Sequence, residues 1–210
     1  MSLKDSIKSL LPASVKKALF ERRLAALAQE RKAFILENPG DAYSCNLCGK
    51  SAGAFMPDGE SHAVLKELKV LSGGIRENCR CPHCYSKDRD RLIWFFLNRK
   101  TNLMKDSDGK ALLHFAPEPE LKKVLSAVSH LIYTDADLDS MLAGHQMDIT
   151  AIPLPENSQD AVLCNHVLEH IPDDSLAMRE LYRVLKPGGF AVLQVPISLS
   201  LQATVEDPGV

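Results

Sequence analysis

Four cysteines in the first half of this 210-residue chain form two Cys-x-x-Cys pairs, Cys45 with Cys48 and Cys81 with Cys84. Each pair can offer two thiolates to one ion, and protein-bound zinc takes four such ligands at about 2.3 Å in a tetrahedron. The spacing therefore predicts one structural zinc site. Disulfides and unliganded thiols are the alternatives, and we expect reduced thiols because the chain does not begin with a secretory leader pattern.

The insert between the two pairs is 32 residues long, compared with roughly 15–20 in common two-pair zinc sites. An insert of this length must form structure of its own, and we expect a short hairpin or helix around residues 64–71. Cys79 and His83 are additional donors beside the second pair. Only one residue separates Cys79 from Cys81, an awkward bite for two ligands of one ion, so Cys79 is left out of the predicted site.

A second group of reactive side chains lies where apolar segments end in the second half of the chain. Asp135 and Asp137 close one such segment, and Asn165 and His166 close another. In a doubly wound sheet, ligands bind at the carboxyl ends of the parallel strands, near the point where strand order reverses. The sequence therefore predicts a ligand-binding crevice at the ends of these strands.

The segments that must position these residues alternate between strands and helices. An apolar strand at 160–165 precedes a helical segment at 173–185, a Lys-Pro-Gly-Gly stop and a further apolar strand at 190–195. Repetition of strand, helix and strand is typical of a parallel α/β sheet. We predict an α/β fold with a doubly wound, mainly parallel sheet. Its five strands are predicted at 112–117, 131–138, 147–155, 160–165 and 190–195.

The N-terminal segment, residues 1–37, is predicted to form a basic amphipathic helix. Residues 1–105 carry eight more Lys and Arg than Asp and Glu, whereas residues 106–210 carry ten more acidic than basic side chains. Such asymmetry indicates either two different tasks or two differently solvated surfaces. Three roles fit the arm: peripheral contact with an anionic membrane, contact with RNA, or a solvated helix. No apolar run reaches the roughly 18 residues of a transmembrane segment.

Two stretches of the sequence carry a family resemblance. Residues 165–170 read Asn-His-Val-Leu-Glu-His, and residues 180–189 read Glu-Leu-Tyr-Arg-Val-Leu-Lys-Pro-Gly-Gly. This wording resembles the second half of the class I S-adenosylmethionine (SAM)-dependent methyltransferases, in their type 11 branch. Those enzymes normally have a Gly-rich turn after the first strand, whereas residues 114–119 here are His-Phe-Ala-Pro-Glu-Pro. That segment resembles a bacterial subgroup that also carries two Cys-x-x-Cys pairs.

The resemblance implies a SAM site of defined composition. The backbone of Phe115, Ala116 and Pro117 would pass beneath the methionine part of the cofactor. A carboxylate at the end of the second strand would accept hydrogen bonds from both ribose hydroxyls. Asp137 fits this role better than Asp135, because Asp137 and the following leucine match the usual Asp-hydrophobic ending.

Four further residues take roles from the same resemblance. Asp148 and Ile149 would meet the adenine, and Asn165 and His166 would lie where cofactor and methyl acceptor meet. His166 is the candidate general base, since imidazole titrates near neutrality. Its alternative role is that of a pocket-lining residue.

The chain thus divides into four predicted parts: a basic helical arm (1–39), a zinc-ribbon-like module (40–90), a connecting helix (91–108) and a Rossmann-like SAM-binding domain (109–210). The family sheet has seven strands, whereas this sequence continues only about fifteen residues past its fifth. We therefore expect a methyltransferase truncated after the fifth strand. Its open edge would form a homodimer, be covered by residues 199–203, or promote aggregation.

The resulting functional hypothesis is a cytoplasmic, SAM-dependent methyltransferase that also binds zinc. Its acceptor is unidentified, with a saccharide or another small hydroxylated molecule as the first expectation. One alternative is methylation of ribosomal RNA or another nucleic acid, with the zinc module gripping the RNA. Another is an inactive, zinc-bearing interaction protein.

Overall fold

The structure, a computed structural model, describes residues 12–71, 74–105, 109–139 and 143–204. Its helices are α1 (Ala13–Glu37), α2 (Ala63–Glu67), α3 (Asp88–Lys100), α4 (Pro119–Leu125) and α5 (Asp174–Val184). A single 3-10 turn covers Leu168–His170. The strands are β1 (Tyr43–Ser44), β2 (Ser51–Ala52), β3 (Met56–Asp58), β4 (Arg76–Arg80), β5 (Lys110–Phe115), β6 (Leu131–Asp137), β7 (His145–Gln146), β8 (Gln159–Asn165) and β9 (Leu185–Gln194).

The second half of the chain is built on a parallel sheet with the strand order β7-β6-β5-β8-β9. From β5 the chain moves outward through β6 and β7, then crosses to β8 on the other side of β5. Strand order therefore reverses between β5 and β8, which is where a doubly wound sheet binds its ligand. The predicted α/β fold with a Rossmann-like, parallel sheet is confirmed.

The central strands are buried on both faces of the sheet. β5 and β8 are apolar over most of their length and almost completely buried, as expected of parallel strands that are covered from both sides. We call one side the module face; its buried members are Cys45, Leu47, Ala52, Phe55, Cys81, Ile93, Leu97, Leu103, Leu112, Leu121, Leu125, Leu131, Ala161 and Leu163. We call the other the α5 face; its members are Leu113, Phe115, Ala136, Met147, Ile149, Ile152, Val162, Cys164, Ala177, Leu181 and Val184.

The cysteine-containing module consists of two small antiparallel ribbons, β1 with β2 and β3 with β4. Ribbons this short are not stable by themselves in water. The insert between the cysteine pairs contains the short helix α2, in line with the predicted hairpin or helix. Helix α3 begins four residues after Cys84 and crosses the predicted boundary at residues 90 and 91. Helix α3 therefore starts within the predicted module and extends toward the sheet as far as Lys100.

The third strand of the sheet lies outside the segment predicted for it. It is the two-residue β7, whereas the predicted strand 147–155 forms turns and a loop. One carboxylate oxygen of Asp148 accepts hydrogen bonds from the amide and the hydroxyl of Thr150, which fixes a turn. Two prolines later in this segment also lack the amide proton that a strand ladder needs. Strand β9 begins earlier than predicted, so the Lys-Pro-Gly-Gly stop already belongs to it.

The segment after β9 pairs with the module instead of folding back over the sheet edge. Ser198 forms an antiparallel bridge with Val70, and the amide of Leu71 donates to the carbonyl of Ile197 at 2.8 Å. The expected cover of the edge by residues 199–203 is therefore wrong for the described part of that segment. Within the described residues, β9 forms one edge of the sheet and β7 forms the other.

Helix α1 forms, but it is not amphipathic as predicted. Val15 and Leu24 are both about half exposed, and they lie on opposite sides of a helix with 100° per residue. The helix is fixed near its C-terminal end, where Arg31 donates hydrogen bonds to the carbonyl groups of Pro82 and His83. Residues 1–11 of the predicted arm lie outside the described residues. Among the described helices, none has the length and apolar character needed to cross a bilayer.

Candidate metal centre and cofactor crevice

The structure brings together the four cysteines that the sequence analysis selected. The sulfur atoms of Cys45, Cys48, Cys81 and Cys84 all lie within 4.8 Å of one another. Across the two pairs, the Sγ–Sγ distances are 3.7 Å from Cys45 to Cys84 and 3.8 Å from Cys48 to Cys81. Zinc–sulfur bonds of about 2.3 Å in a tetrahedron require sulfur–sulfur edges of about 3.8 Å. The donor set therefore fits one zinc ion.

The two cysteine pairs share the same backbone geometry. In the first, the amide of Gly49 donates to the carbonyl of Cys45 at 2.8 Å, and in the second, Tyr85 donates to Cys81 at 2.8 Å. Gly49 and Tyr85 both have a positive φ, of 73° and 70°. This conformation costs a residue with a Cβ about 1–2 kcal/mol. The Tyr85 ring compensates by stacking beneath the guanidinium of Arg80, at 4.3 Å from its centroid.

Polar contacts around the sulfur atoms suit thiolate ligands. The buried hydroxyl of Ser86 lies 3.1 Å from the sulfur of Cys84 and 3.6 Å from that of Cys45. Hydrogen bonds from the Cys81 and Cys84 thiols lower the pKa of Cys45. The cluster therefore favours at least one thiolate even before a cation adds its own attraction.

The remaining candidate donors lie outside the cluster. The thiol of Cys79 accepts a hydrogen bond from Arg76 at 3.1 Å. Nε2 of His83 lies 2.9 Å from the backbone carbonyl oxygen of Ser51. The sixth cysteine, Cys164, is buried in the α5 face, and burial raises the pKa of its thiol to about 12. None of these three residues belongs to the metal cluster found among the described residues.

The residues predicted to bind the cofactor line up at the carboxyl edge of the sheet. Phe115 pairs in register with Ala136 on one side and with Cys164 on the other. The next residues along these three strands are Ala116, Asp137 and Asn165, so they occupy one row at the strand ends. The sheet therefore brings Ala116, Asp137 and Asn165 to the position where strand order reverses.

Two turns at this edge have unusual backbone conformations. Ala116 has φ 46° and His166 has φ 54°, although neither is glycine. Each amide is held by a neighbouring strand: Ala116 donates to Ala136 at 2.9 Å and His166 donates to Gln194 at 2.8 Å. Strained conformations of this kind persist when the surrounding structure fixes them, and they concentrate at functional sites. The Ala116 turn adopts a glycine-like path without a glycine.

The two strand-end aspartates differ in what they contact. Asp135 is buried and accepts hydrogen bonds from Lys122 Nζ at 2.5 Å and from the amide of Gly144 at 2.7 Å. Burial alone would raise the pKa of Asp135, but these two contacts outweigh it and hold the pKa below its ordinary value. Asp137 is half-buried, and one of its oxygens accepts the amide of Asp139 at 2.9 Å. Asp135 thus fastens α4 to β6, whereas Asp137 lies at the carboxyl end of β6.

The predicted adenine and base residues lie around the same edge. Asp148 is exposed, and its hydrogen bonds from Thr150 lower its pKa and give it a turn-capping role. Ile149 is buried in the α5 face. His166 is partly exposed, and its Nδ1 lies 3.1 Å from the Glu169 carboxylate. A proton on Nδ1 that is shared with Glu169 leaves Nε2 as the basic nitrogen of the ring.

A buried network centred on Glu118 was not singled out by the sequence analysis. Its Oε2 lies 3.0 Å from Nε2 of His114, and its Oε1 accepts a hydrogen bond from Asn165 at 3.3 Å. Nδ1 of His114 lies 3.0 Å from the hydroxyl of Tyr133. Burial alone would raise the pKa of Glu118, but the contacts with His114 outweigh it and lower the pKa. An acidic residue directly after the first strand was the available sequence signal.

Comparison with known families supports a methyltransferase domain in this half of the chain. Residues 113–193 match the family model described as a methyltransferase domain. Among curated proteins, a demethylmenaquinone methyltransferase of Listeria monocytogenes is 43% identical over 58 residues, which are 27% of this chain and 23% of that protein. The ubiquinone/menaquinone biosynthesis C-methyltransferase UbiE of Pseudoalteromonas translucida is 43% identical over 44 residues, 21% of this chain and 18% of that protein. The chain therefore spans less than a quarter of either relative.

Solved structures with a similar fold were also found. The [4+2]-cyclase SpnF has a TM-score of 0.43 and 21% identity, covering 52% of this chain and 45% of that one. Phosphoethanolamine N-methyltransferase 2 of Haemonchus contortus, in complex with S-adenosyl-L-methionine, has a TM-score of 0.41 and 18% identity, covering 51% and 28%. The family model by itself supports the predicted methyltransferase domain at residues 113–193.

Proposed function

We propose that this chain is a SAM-dependent methyltransferase that binds its cofactor at the carboxyl edge of the sheet. The observation that carries the proposal is the row of Ala116, Asp137 and Asn165 at the reversal of strand order. This row lies inside the segment that matches a methyltransferase domain. The buried carbonyl oxygen Oδ1 of Asn165 also has no hydrogen-bond partner among the described residues, which suits a ligand donor at this point.

The proposed role of each residue follows from the family resemblance and from its place at the carboxyl edge of the sheet. The backbone of Phe115, Ala116 and Pro117 passes beneath the methionine part of the cofactor, helped by the positive φ of Ala116. Asp137 accepts hydrogen bonds from the ribose hydroxyls. The Asp148–Ile149 segment, which follows β7, is the proposed adenine contact.

The protein contributes to the proposed methyl transfer mainly by aligning the reactants. When bound, SAM supplies an electrophilic methyl group on its sulfonium sulfur. The chain holds the acceptor in line with that group and excludes water. For a hydroxyl acceptor, His166 Nε2 takes the proton, while Glu169 orients the ring through Nδ1.

Ligand titration tests the cofactor assignment. We expect the purified protein to bind SAM and S-adenosylhomocysteine in a calorimeter, and His166→Gln to bind both as the unchanged protein does. Loss of a general base lowers the rate of transfer by about 10²–10⁴-fold, so His166→Gln should fail in turnover and not in binding. Failure of the unchanged protein to bind either nucleoside would refute the proposal.

We also propose one structural zinc ion held by Cys45, Cys48, Cys81 and Cys84. The support is the fit of the sulfur–sulfur distances to a zinc tetrahedron. A four-thiolate site has no open position for a substrate, so the ion stabilises the module and takes no part in methyl transfer. Elemental analysis of the purified protein should give one zinc per chain.

The methyl acceptor is the finer part of the proposal. A small hydroxylated molecule, such as a saccharide, remains our first assignment, because the proton acceptor proposed at this place is a histidine suited to a hydroxyl group. An RNA acceptor is less favoured, since Arg76, Arg80 and Lys87 of the module are engaged by Asp58. RNA binding that falls steeply between two salt concentrations would reverse this preference.

A further inference from the structure

We propose that Arg89 and Asp90 of helix α3 bind the amino-acid end of SAM, together with Glu118 and Asn165. Both residues of α3 lie outside the segment that matches the methyltransferase domain. The inference rests on the proposed function and extends it, because it assigns part of the cofactor site to the helix that joins the cysteine module to the sheet.

Unpartnered buried atoms first point to this place. Among the described residues, Arg89 Nε, Asp90 Oδ1 and Asn165 Oδ1 are buried side-chain atoms without a hydrogen-bond partner. Leaving such a group unpaired costs about 1–3 kcal/mol, and more when it is charged. Buried polar atoms without partners are uncommon in native proteins and call for a ligand, water or ion. The three atoms comprise one donor and two acceptors.

Glu118 connects these residues to one another. Its Oε1 lies 3.3 Å from Nδ2 of Asn165 and 3.6 Å from Nη2 of Arg89. Arg89 Nε in turn lies 3.6 Å from Asp90 Oδ1. Charge-assisted hydrogen bonds are normally about 2.7–2.9 Å long, so Arg89 is near both carboxylates without being fully bonded to either. The guanidinium therefore keeps capacity for another anionic group.

The chemistry of the set matches an α-amino acid zwitterion. A ligand carboxylate is an acceptor that a guanidinium binds well, and a ligand ammonium is a donor of three hydrogen bonds. Arg89 is assigned to the carboxylate, and Asp90 Oδ1 and Asn165 Oδ1 are assigned to the ammonium. Two carboxyl groups, those of Asp90 and Glu118, lie beside one guanidinium, and carboxyl oxygens suit a ligand that carries both an ammonium and a sulfonium.

Helix α3 is held in place by backbone carbonyl groups on either side of the second cysteine pair. Arg91 donates hydrogen bonds to the carbonyl of Ser86 at 2.7 Å and to that of Cys79 at 2.8 Å. Asp90 Oδ2 accepts the amide of Lys87 at 2.8 Å and so caps the first turn. These contacts fix the position of Arg89 and Asp90 from the module side. The metal-binding module thereby contributes to cofactor binding through α3.

Two adenosine ligands distinguish binding of the amino-acid end from binding of the rest of the cofactor. S-adenosylhomocysteine has the amino-acid end, whereas 5′-methylthioadenosine lacks it but keeps the adenosine and the sulfur. We expect the unchanged protein to prefer S-adenosylhomocysteine. Because a hydrogen bond to a charged group is worth about 1.5–3 kcal/mol, Arg89→Gln should reduce this preference by about 10–100-fold. Asp90→Asn keeps a side-chain acceptor for the helix cap and should reduce it less.

Matched controls lie on the same helix. Asp88→Asn changes a carboxylate in the same first turn that contacts Arg76, and it keeps the side-chain oxygen that accepts the amide of Arg89. Arg99→Gln changes an exposed arginine in the last turn. Both should keep the ligand preference of the unchanged protein. Affinity for 5′-methylthioadenosine serves as the test of an intact fold in every variant.

Each outcome of the calorimetric series decides the inference. Loss of S-adenosylhomocysteine affinity with retained 5′-methylthioadenosine affinity in Arg89→Gln supports it. An unchanged preference, or equal loss of both ligands, overturns it, and leaves the proposed function intact as long as the unchanged protein binds S-adenosylhomocysteine. If the unchanged protein binds neither ligand, both the inference and the proposed function fail.

Discussion

The two faces of the parallel sheet are covered in different ways. The α5 face is closed by side chains from the second half of the chain, including Leu181 and Val184 of α5. The module face takes buried residues from the module itself, and two of them, Cys45 and Cys81, are proposed zinc ligands. Among the described residues, the α5 face is thus closed mainly by apolar side chains, whereas the module face includes two cysteines of the proposed zinc site.

The difference shows how a very small module can be stable. Ribbons of two to five residues bury too little apolar surface to fold independently. The module shares its buried residues with α3, α4 and the sheet, and structural zinc adds folding free energy directly. It follows that the metal should stabilise the module face and leave the α5 face largely unaffected.

Removal of a zinc ligand is the largest expected perturbation. Structural zinc contributes apparent binding free energies of about 10–16 kcal/mol in zinc-finger peptides, so Cys81→Ser should lose the metal and unfold the module. Hydrogen exchange should then accelerate in β1 to β4, while amides of β8 and α5 stay better protected. Cys79→Ser is the matched control, since Cys79 lies outside the cluster, and it should retain one zinc. A Cys81→Ser protein with full zinc and unchanged exchange would contradict the comparison.

Truncation of one leucine on each face sharpens the comparison. Leu97 on the module face and Leu181 on the α5 face are 0% and 2% exposed, and each change to alanine should cost about 2–5 kcal/mol. In urea unfolding with a zinc chelator, the cost of Leu97→Ala should shrink because its surroundings are already loosened. The cost of Leu181→Ala should persist. Equal sensitivity of both variants to the chelator would mean that the two faces are one cooperative unit.

Substitution of the two strand-end aspartates distinguishes an effect on SAM binding from an effect on the stability of the fold. Asp137→Ala should weaken SAM binding by about 1.5–3 kcal/mol for each charged hydrogen bond lost. Asp135→Ala should mainly lower the free energy of unfolding, because it breaks the contacts to Lys122 and Gly144. Calorimetry and urea unfolding on both variants distinguish the two effects. An equal or larger loss of affinity in Asp135→Ala would show that the register of β6 had been misread.

Lowering the pH should reduce the free energy of unfolding through protonation of Asp135. This is the smallest of the four expected effects. Lys122 and Gly144 hold the pKa of Asp135 below its ordinary value, so the carboxylate stabilises the folded state above its unfolded-state pKa. This contribution is lost as the pH falls through the folded-state pKa. Unfolding free energy measured from pH 7 downward should therefore fall more steeply for the unchanged protein than for Asp135→Asn. Parallel pH profiles would argue against a stabilising ion pair.

Local patterns in the sequence were enough for much of this architecture. Cys-x-x-Cys spacing selected the four clustered thiols, and continuous apolar runs located β5, β6 and β8, because buried parallel strands need apolar residues on both faces. Helix α3 begins three residues before the predicted connecting helix (91–108) and ends eight residues before the predicted end. The third strand was misplaced, since 147–155 is as apolar as a strand but contains an Asp148 turn and prolines.

Contacts between distant segments were decided only in the tertiary structure. No local pattern relates Glu118 to Arg89 or Asn165, which the fold brings within 3.6 Å. The same is true of the bridge between Val70 and Ser198. Such contacts depend on where the ends of separate elements meet in space. Local periodicity in a sequence carries no information about these relative positions. The cysteines and strand ends were therefore predictable from the sequence, whereas the buried network that joins them required the fold.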